Sequence, residues 1–135
     1  MDGVGVNAHS YRDNGIRSFG AINGVFGISA NVHASGVYGE NNGGGWGVAG
    51  RTNGANRAGV FGDNTGSGIG VLGASASGIG VQASGTRAPI RLVPSAVPGA
   101  PSSGFHEMGE MMVDSNGDLY LCKATGTPGT WKLIG

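Results

Sequence analysis

Cysteine is almost absent: Cys122 is alone among 135 residues. One thiol per chain excludes an intrachain disulfide and a cysteine-built zinc site within one chain. Lysine does not occur before Lys123. Eight Lys and Arg balance eight Asp and Glu, for a formal net charge of zero. Arg12, Arg17, Arg51 and Arg57 are interspersed with Asp2, Asp13, Glu40 and Asp63. That leaves no concentrated basic surface for a phosphate backbone, so no nucleic-acid partner is expected. Long apolar runs are also missing, so no membrane insertion is expected. The opening Met1-Asp-Gly-Val-Gly-Val6 has neither a basic nor an apolar signal region. No Sec signal peptide is therefore expected in this chain: either it is not Sec-exported or it is a fragment with an added Met. Leu, Ile, Val and Phe make up 28 of the 135 residues, barely above the level typical of disorder. Zero net charge, however, is not the charge state of most disordered chains.

Glycine is abundant, at 30 residues, and 23 of these fall in residues 1–85. They are periodic. Gly-Val-x-Gly recurs at Gly24–Gly27, Gly36–Gly39, Gly47–Gly50, Gly59–Gly62 and Gly70–Gly73, with a degraded copy at Gly80–Ala83. The valines are Val25, Val37, Val48, Val60, Val71 and Val81, at steps of 12, 11, 12, 11 and 10. Each copy is too short and too glycine-rich for a helix, and fits one short strand followed by a turn. Alternation along a strand puts Trp46 with Val48, Ile69 with Val71 and Ile79 with Val81. Phe26, Tyr38, Ala49, Phe61, Leu72 and Gln82 occupy the other face. The Val face hardly varies, so it is assigned to a crowded, repeated interior. Glycine on either side lets backbones approach closely, and spacers such as Glu40-Asn-Asn-Gly43 are turn formers.

A single copy buries two or three apolar side chains at most. At about 25 cal/mol per Å², that does not offset roughly 1–2 kcal/mol of backbone entropy per residue. The copies must stack. Two all-β architectures are open: a homotrimer in which three chains intertwine as a β-helix or β-prism, or a single-chain β-solenoid. The trimer is preferred, with Val25, Val37, Val48, Val60, Val71 and Val81 as its core, because threefold closure triples the interior at each layer and removes sheet edges.

The Gly-Val-Tyr-Gly type of repeat, over about residues 15–85, resembles the β-helical shafts of bacterial and phage fibre proteins. That resemblance implies homotrimers serving as tail fibres, tailspikes or surface appendages, located outside the cell or on a virion or phage-tail-like particle.

The composition changes after Gly85. Pro89, Pro94, Pro98 and Pro101 punctuate residues 86–104, which read as an extended crossover or linker. Residues 105–135 read as a three-stranded meander. Strand candidates are 110–114, 118–123 and 130–134, with Ser115-Asn116-Gly117 a strong hairpin turn. The pattern Gly-Glu … Val-Asp-Ser-Asn-Gly-Asp-Leu-Tyr … Gly-Thr-Pro-Gly-Thr-Trp resembles small C-terminal caps on repeat-bearing bacterial and phage proteins. About 31 residues cannot build an independent core, so this module is expected to cap a trimer. Cys122, in an apolar run, is expected to be a buried, inert thiol.

Catalytic chemistry finds no constellation here, and an enzyme is not expected. Asp114-x-Asn116-x-Asp118 begins like a calcium loop but lacks its sixth-position Gly and twelfth-position acid. His106-Glu107 lacks the second His of a zinc protease motif. Glu107, Glu110, Asp114 and Asp118 crowd into twelve residues, but they are read as a solvated face rather than as a glycosidase pair. His33 is a candidate for a metal on a threefold axis, one ligand from each chain. No cofactor is implied. Tyr38, Trp46 and Trp131 are candidates for stacking on a sugar, with Trp131 better suited to packing the cap. The expectation is a structural homotrimeric fibre segment, shaft 1–85 and cap 105–135. The alternative is the receptor- or carbohydrate-binding tip of such a fibre, with a cell-surface glycan as its partner.

Overall fold

The computed structural model describes residues 6–135. Residues 1–5, the start of the expected shaft, lie outside the described residues. The chain divides into two units, Met1–Asp63 and Asn64–Gly135. Among the described residues there is no helix, and the fold is all-β. Its strands are β1 (Met111–Val113), β2 (Leu119–Ala124) and β3 (Thr130–Ile134), all in the second unit.

The alternation of the Gly-Val-x-Gly copies predicts strands, and none of the copies is a strand within the single chain. Four of the five spacers instead close into loops with a pair of glycines at the base. In the first unit these pairs are Gly27 with Gly36, Gly39 with Gly47 and Gly50 with Gly59; in the second, Gly73 with Gly80. The last glycine of one copy meets the first glycine of the next. A side-chain carbon at Gly47 would lie 2.8 Å from the Gly39 carbonyl oxygen, and one at Gly59 would lie 2.8 Å from that of Gly50. Real carbons do not come that close to a rigid backbone. The valine of the later copy then lies over the closing glycine of the earlier one. The Cγ2 of Val37 covers Gly27, that of Val48 covers Gly39, that of Val60 covers Gly50 and that of Val81 covers Gly73. The motif thus couples its glycines to its valine because they fill one contact from opposite sides.

The loops are also shaped locally. Two residues after each closing glycine stands a short polar side chain that accepts a backbone N–H: Ser29 from Asn31, Asn41 from Gly43, Thr52 from Gly54, Asn64 from Gly66 and Ser75 from Gly78. Such side chains replace a backbone turn bond. Backbone-to-backbone bonds are scarce by contrast. Those of the described first unit run from Ala34 to Asn31 and from Arg57 to Gly54. Among the described residues, no backbone ladder bond joins one copy to another.

The C-terminal meander forms as the sequence predicts. β1 pairs with β2 and β2 with β3, all antiparallel, with Met112 opposite Tyr120 and Cys122 opposite Trp131. The expected bounds differ by one residue at each end of β1 and β2 and coincide for β3. Asn116-Gly117 sits in the β1–β2 turn, with Gly117 at φ +92°, a conformation an L-residue seldom adopts. A register shift between Cys122 and Ala124 bulges the β2–β3 pair. Cys122 and Asp114 are the fully buried residues among those described.

The clasp geometry yields a paired test. Gly59→Ala puts a methyl against the Gly50 carbonyl. Gly43→Ala meets its nearest neighbour, the Asn41 Oδ1, at 3.5 Å without positive φ. Overpacking of this kind costs about 1–3 kcal/mol. Thermal melting followed by circular dichroism is expected to drop by roughly 5 °C or more for Gly59→Ala and to stay at the parent midpoint for Gly43→Ala.

Candidate functional site

Two surfaces carry what chemistry the chain has: the apolar face of the repeats and a polar cluster in the cap. On the repeats, every described residue up to Pro94 is exposed. The six expected core valines are among them, between 67% and 72% accessible. Phe26, Tyr38, Phe61 and Leu72, on the variable face, are more open still, as is Trp46. Both faces of the repeat are therefore uncovered in a single chain.

Two shallow depressions lie on the first unit, both open to solvent. One, of about 330 Å³, is lined by Trp46, Val48, Ala49, Gly50 and Arg51. The other, of about 470 Å³, is lined by Asn56, Arg57, Ala58 and Phe61. Tyr38 lines neither. His33 sits in an exposed turn, its backbone N–H donating to the Asn31 Oδ1 at 2.9 Å. Among the described residues, no three His, Cys, Asp or Glu side chains converge to hold a metal. A site made of one His33 from each of three chains is a different arrangement from such a cluster.

The cap cluster differs from the expected solvated acidic face. Asp114 is completely buried. Its Oδ1 accepts the N–H groups of Asn116 and Asp118, each at 2.9 Å, and its Oδ2 accepts that of Gly99 at 2.6 Å. A solvated reading treats this carboxylate as a surface charge. It faces inward at the hairpin turn instead and gathers the backbone donors around it. Those donors hold its carboxyl below the usual range, Gly99 first, against the opposing effect of burial. The linker is tied down by the same contact. Ser95 N–H donates to the Val113 carbonyl at 2.8 Å and Ser115 N–H to that of Val97 at 3.2 Å. Residues 95–99 thus run beside β1 and the turn. Burial and the nearby Asp114 and Asp118 push the Tyr120 hydroxyl up.

On the other side of the cap, His106 bridges to Gly126 through the backbone. Its Nδ1 lies 2.7 Å from the Glu110 Oε2, and its Nε2 lies 3.3 Å from the Ser103 carbonyl. Glu110 Oε1 accepts the Glu107 N–H at 2.9 Å. That bond first, and His106 second, lower the Glu110 carboxyl. The half-buried Trp131 stands edge-on to the His106 ring, 5.1 Å between centroids, and donates its Nε1–H to the Pro128 carbonyl at 2.9 Å. Its ring is occupied in packing, and its polar atom is satisfied. Cys122 is buried with its Sγ 3.3 Å from the Ala124 carbonyl, as an inert structural thiol would be. None of these groups forms a nucleophile with a base and an orienting third group.

No helix among the described residues is long and apolar enough to cross a membrane. The chain matches no known family, no curated protein and no solved structure.

The two lowered carboxyls fix the sign of an acid effect. A carboxylate whose folded pKa lies below its unfolded value of about 4 contributes stability that is complete above that value. The contribution is lost as pH falls through the folded pKa. Cap stability is expected to be flat from about pH 5 to 7 and to decline below about pH 4. In Asp114→Ala, amide exchange at Gly99, Asn116 and Asp118 is expected to speed up roughly tenfold at neutral pH, readable by proton–deuterium exchange.

Proposed function

We propose that this chain is a segment of a homotrimeric β-fibre and that its role is mechanical. Residues 1–85 would be the shaft, 86–104 the crossover and 105–135 the cap that holds three chains together. A phage-tail-like particle or a bacterial surface appendage is the setting that fits such a part.

The observation that carries this reading is the uncovered valine face. Valine recurs at one position of every copy and is two-thirds exposed in all six, and Val37, Val48, Val60 and Val81 each lie over a glycine. Burying a Val fully is worth about 1.5 kcal/mol or more. A sequence that repeats an exposed valine at one position six times has a cover for it. The cover does not come from the chain itself, whose accessible surface is 12259 Å². A folded monomer of 13.3 kDa exposes roughly 6,500 Å².

Unpaired backbone groups argue the same way. Buried strands need a ladder partner, and the first unit offers itself almost none. Three identical chains would supply both the cover and the ladder. The small cap then has a purpose, since repeat arrays need their last layer closed and three copies of the meander would share one core.

Light scattering behind a sizing column tests the reading. A mass three times the 13.3 kDa of one chain is expected across a range of concentrations. A single-chain mass would mean that the copies satisfy each other within one chain, as a β-solenoid. Val60→Asp supplies the second arm. Three buried charges at one level are expected to block assembly, leaving a species of single-chain mass. A Val60→Asp trimer with the parent melting profile would overturn the inward assignment of valine.

A further inference from the structure

One position of the repeat breaks its monotony. Directly after the closing glycine stand Ile28, Glu40, Arg51, Asp63 and Ala74. The structure gives four of these five, Ile28, Glu40, Arg51 and Ala74, equivalent places beside the first glycine of the next copy. In the first unit the Cα atoms of Ile28, Glu40 and Arg51 lie 3.5, 3.7 and 3.6 Å from where a side-chain carbon would stand on Gly36, Gly47 and Gly59. Asp63 takes the same place in sequence after Gly62. Successive copies therefore carry an acid, a base and an acid at one position, with an apolar residue at either end of the series.

Among the described residues these charges have no partner inside the chain, where the one ion pair joins His106 and Glu110 in the cap. Glu40, Arg51 and Asp63 are all exposed. Arg51 lines the depression that holds Trp46, Val48 and Ala49, and no carboxylate lines it with them. If the charges served solubility alone, their sign would not need to alternate.

We propose that Glu40, Arg51 and Asp63 form a ladder of alternating charged rings between copies of this chain, with the Arg51 side chains of one layer pairing with Glu40 and Asp63 of neighbouring chains in the layers to either side. This rests on the trimeric reading above. A threefold assembly puts three identical charges at each level, and a ring of three like charges by itself opposes association. An adjacent ring of opposite sign reverses the balance. Stacked strands are spaced about 4.8 Å apart, within reach of an arginine side chain. A planar guanidinium with five donors suits a place between two carboxylate layers better than an ammonium would, and arginine is used in place of lysine throughout the chain before residue 123.

The test is charge inversion, read by melting and by mass at low and high salt. Arg51→Glu turns the series into three acid rings. Its melting midpoint is expected to fall by roughly 5 °C or more at about 10 mM salt, where the screening length is roughly 30 Å. It is expected to recover toward the parent at about 1 M, where that length is roughly 3 Å. The triple inversion Glu40→Arg, Arg51→Glu, Asp63→Arg restores alternation and is expected to restore the midpoint at low salt. If neither variant assembles, Arg51→Gln decides, by showing or lacking the same salt-dependent loss. A trimeric parent whose Arg51→Glu variant melts normally at low salt overturns the ladder and leaves the trimer standing. So does a triple inversion that melts as low as the single variant. A parent of single-chain mass overturns both.

Discussion

The approach of two glycine backbones at the base of four of the five loops is the constraint on which the repeat depends. The last glycine of one copy and the first of the next come so close that no β-carbon fits between them. Everything regular about the array follows from that contact. It sets where each loop begins and ends, and it places the next valine over the closing glycine. It also brings the following residue, whether Ile28, Glu40 or Arg51, to a common position. Glycine is usually costly in ordered structure because it surrenders the most chain entropy. Here it is required for steric reasons, and the turn side chains two residues further on offset part of that cost by tying each loop locally.

The same contact explains which parts of the fold are legible in the residues alone. The copies, their boundaries and the shared location of valine can be read because they are periodic. The meander can be read because Asn116-Gly117 and two flanking apolar runs obey hairpin rules. Side-chain alternation predicts strands within the repeats, and a single chain does not form them. Alternation describes which way side chains point, but a strand also needs a neighbour to pair with, and that information is not local. The glycine clasps are foreshadowed in kind, as close backbone approach, but their pairing between the end of one copy and the start of the next emerges from the structure.

The cap contains the clearest departure at the level of single residues. Four acids within twelve positions read as a solvated patch, since carboxylates are seldom fully buried unless they are paired. Asp114 is buried without any cation beside it. Three backbone N–H groups, one of them from the distant Gly99, substitute for a counter-charge. The nearest sequence sign is Asp114-x-Asn116-x-Asp118, which spaces a carboxylate correctly to accept the two N–H groups of its own turn. The third donor, Gly99, lies far upstream in the crossover and leaves no such sign. With the Ser95–Val113 and Ser115–Val97 backbone bonds, this donor ties residues 95–99 to the meander.

Closure at the base also governs how the array can change its length. The steps between valines vary from 10 to 12 residues, and the variation lies in the loops, since each Gly-Val-x-Gly motif keeps four residues. A loop pinned at its ends is insensitive to what lies at its tip. Growing from six enclosed residues, as between Gly73 and Gly80, to eight, as between Gly27 and Gly36, adds only about 0.3 kcal/mol of closure entropy. Insertions and deletions at the tips are therefore nearly neutral, whereas a single methyl group at the base is not. Each closed loop thus combines a fixed base with an editable tip, so that the tips can diverge in sequence and size while the glycine contact beneath them stays the same.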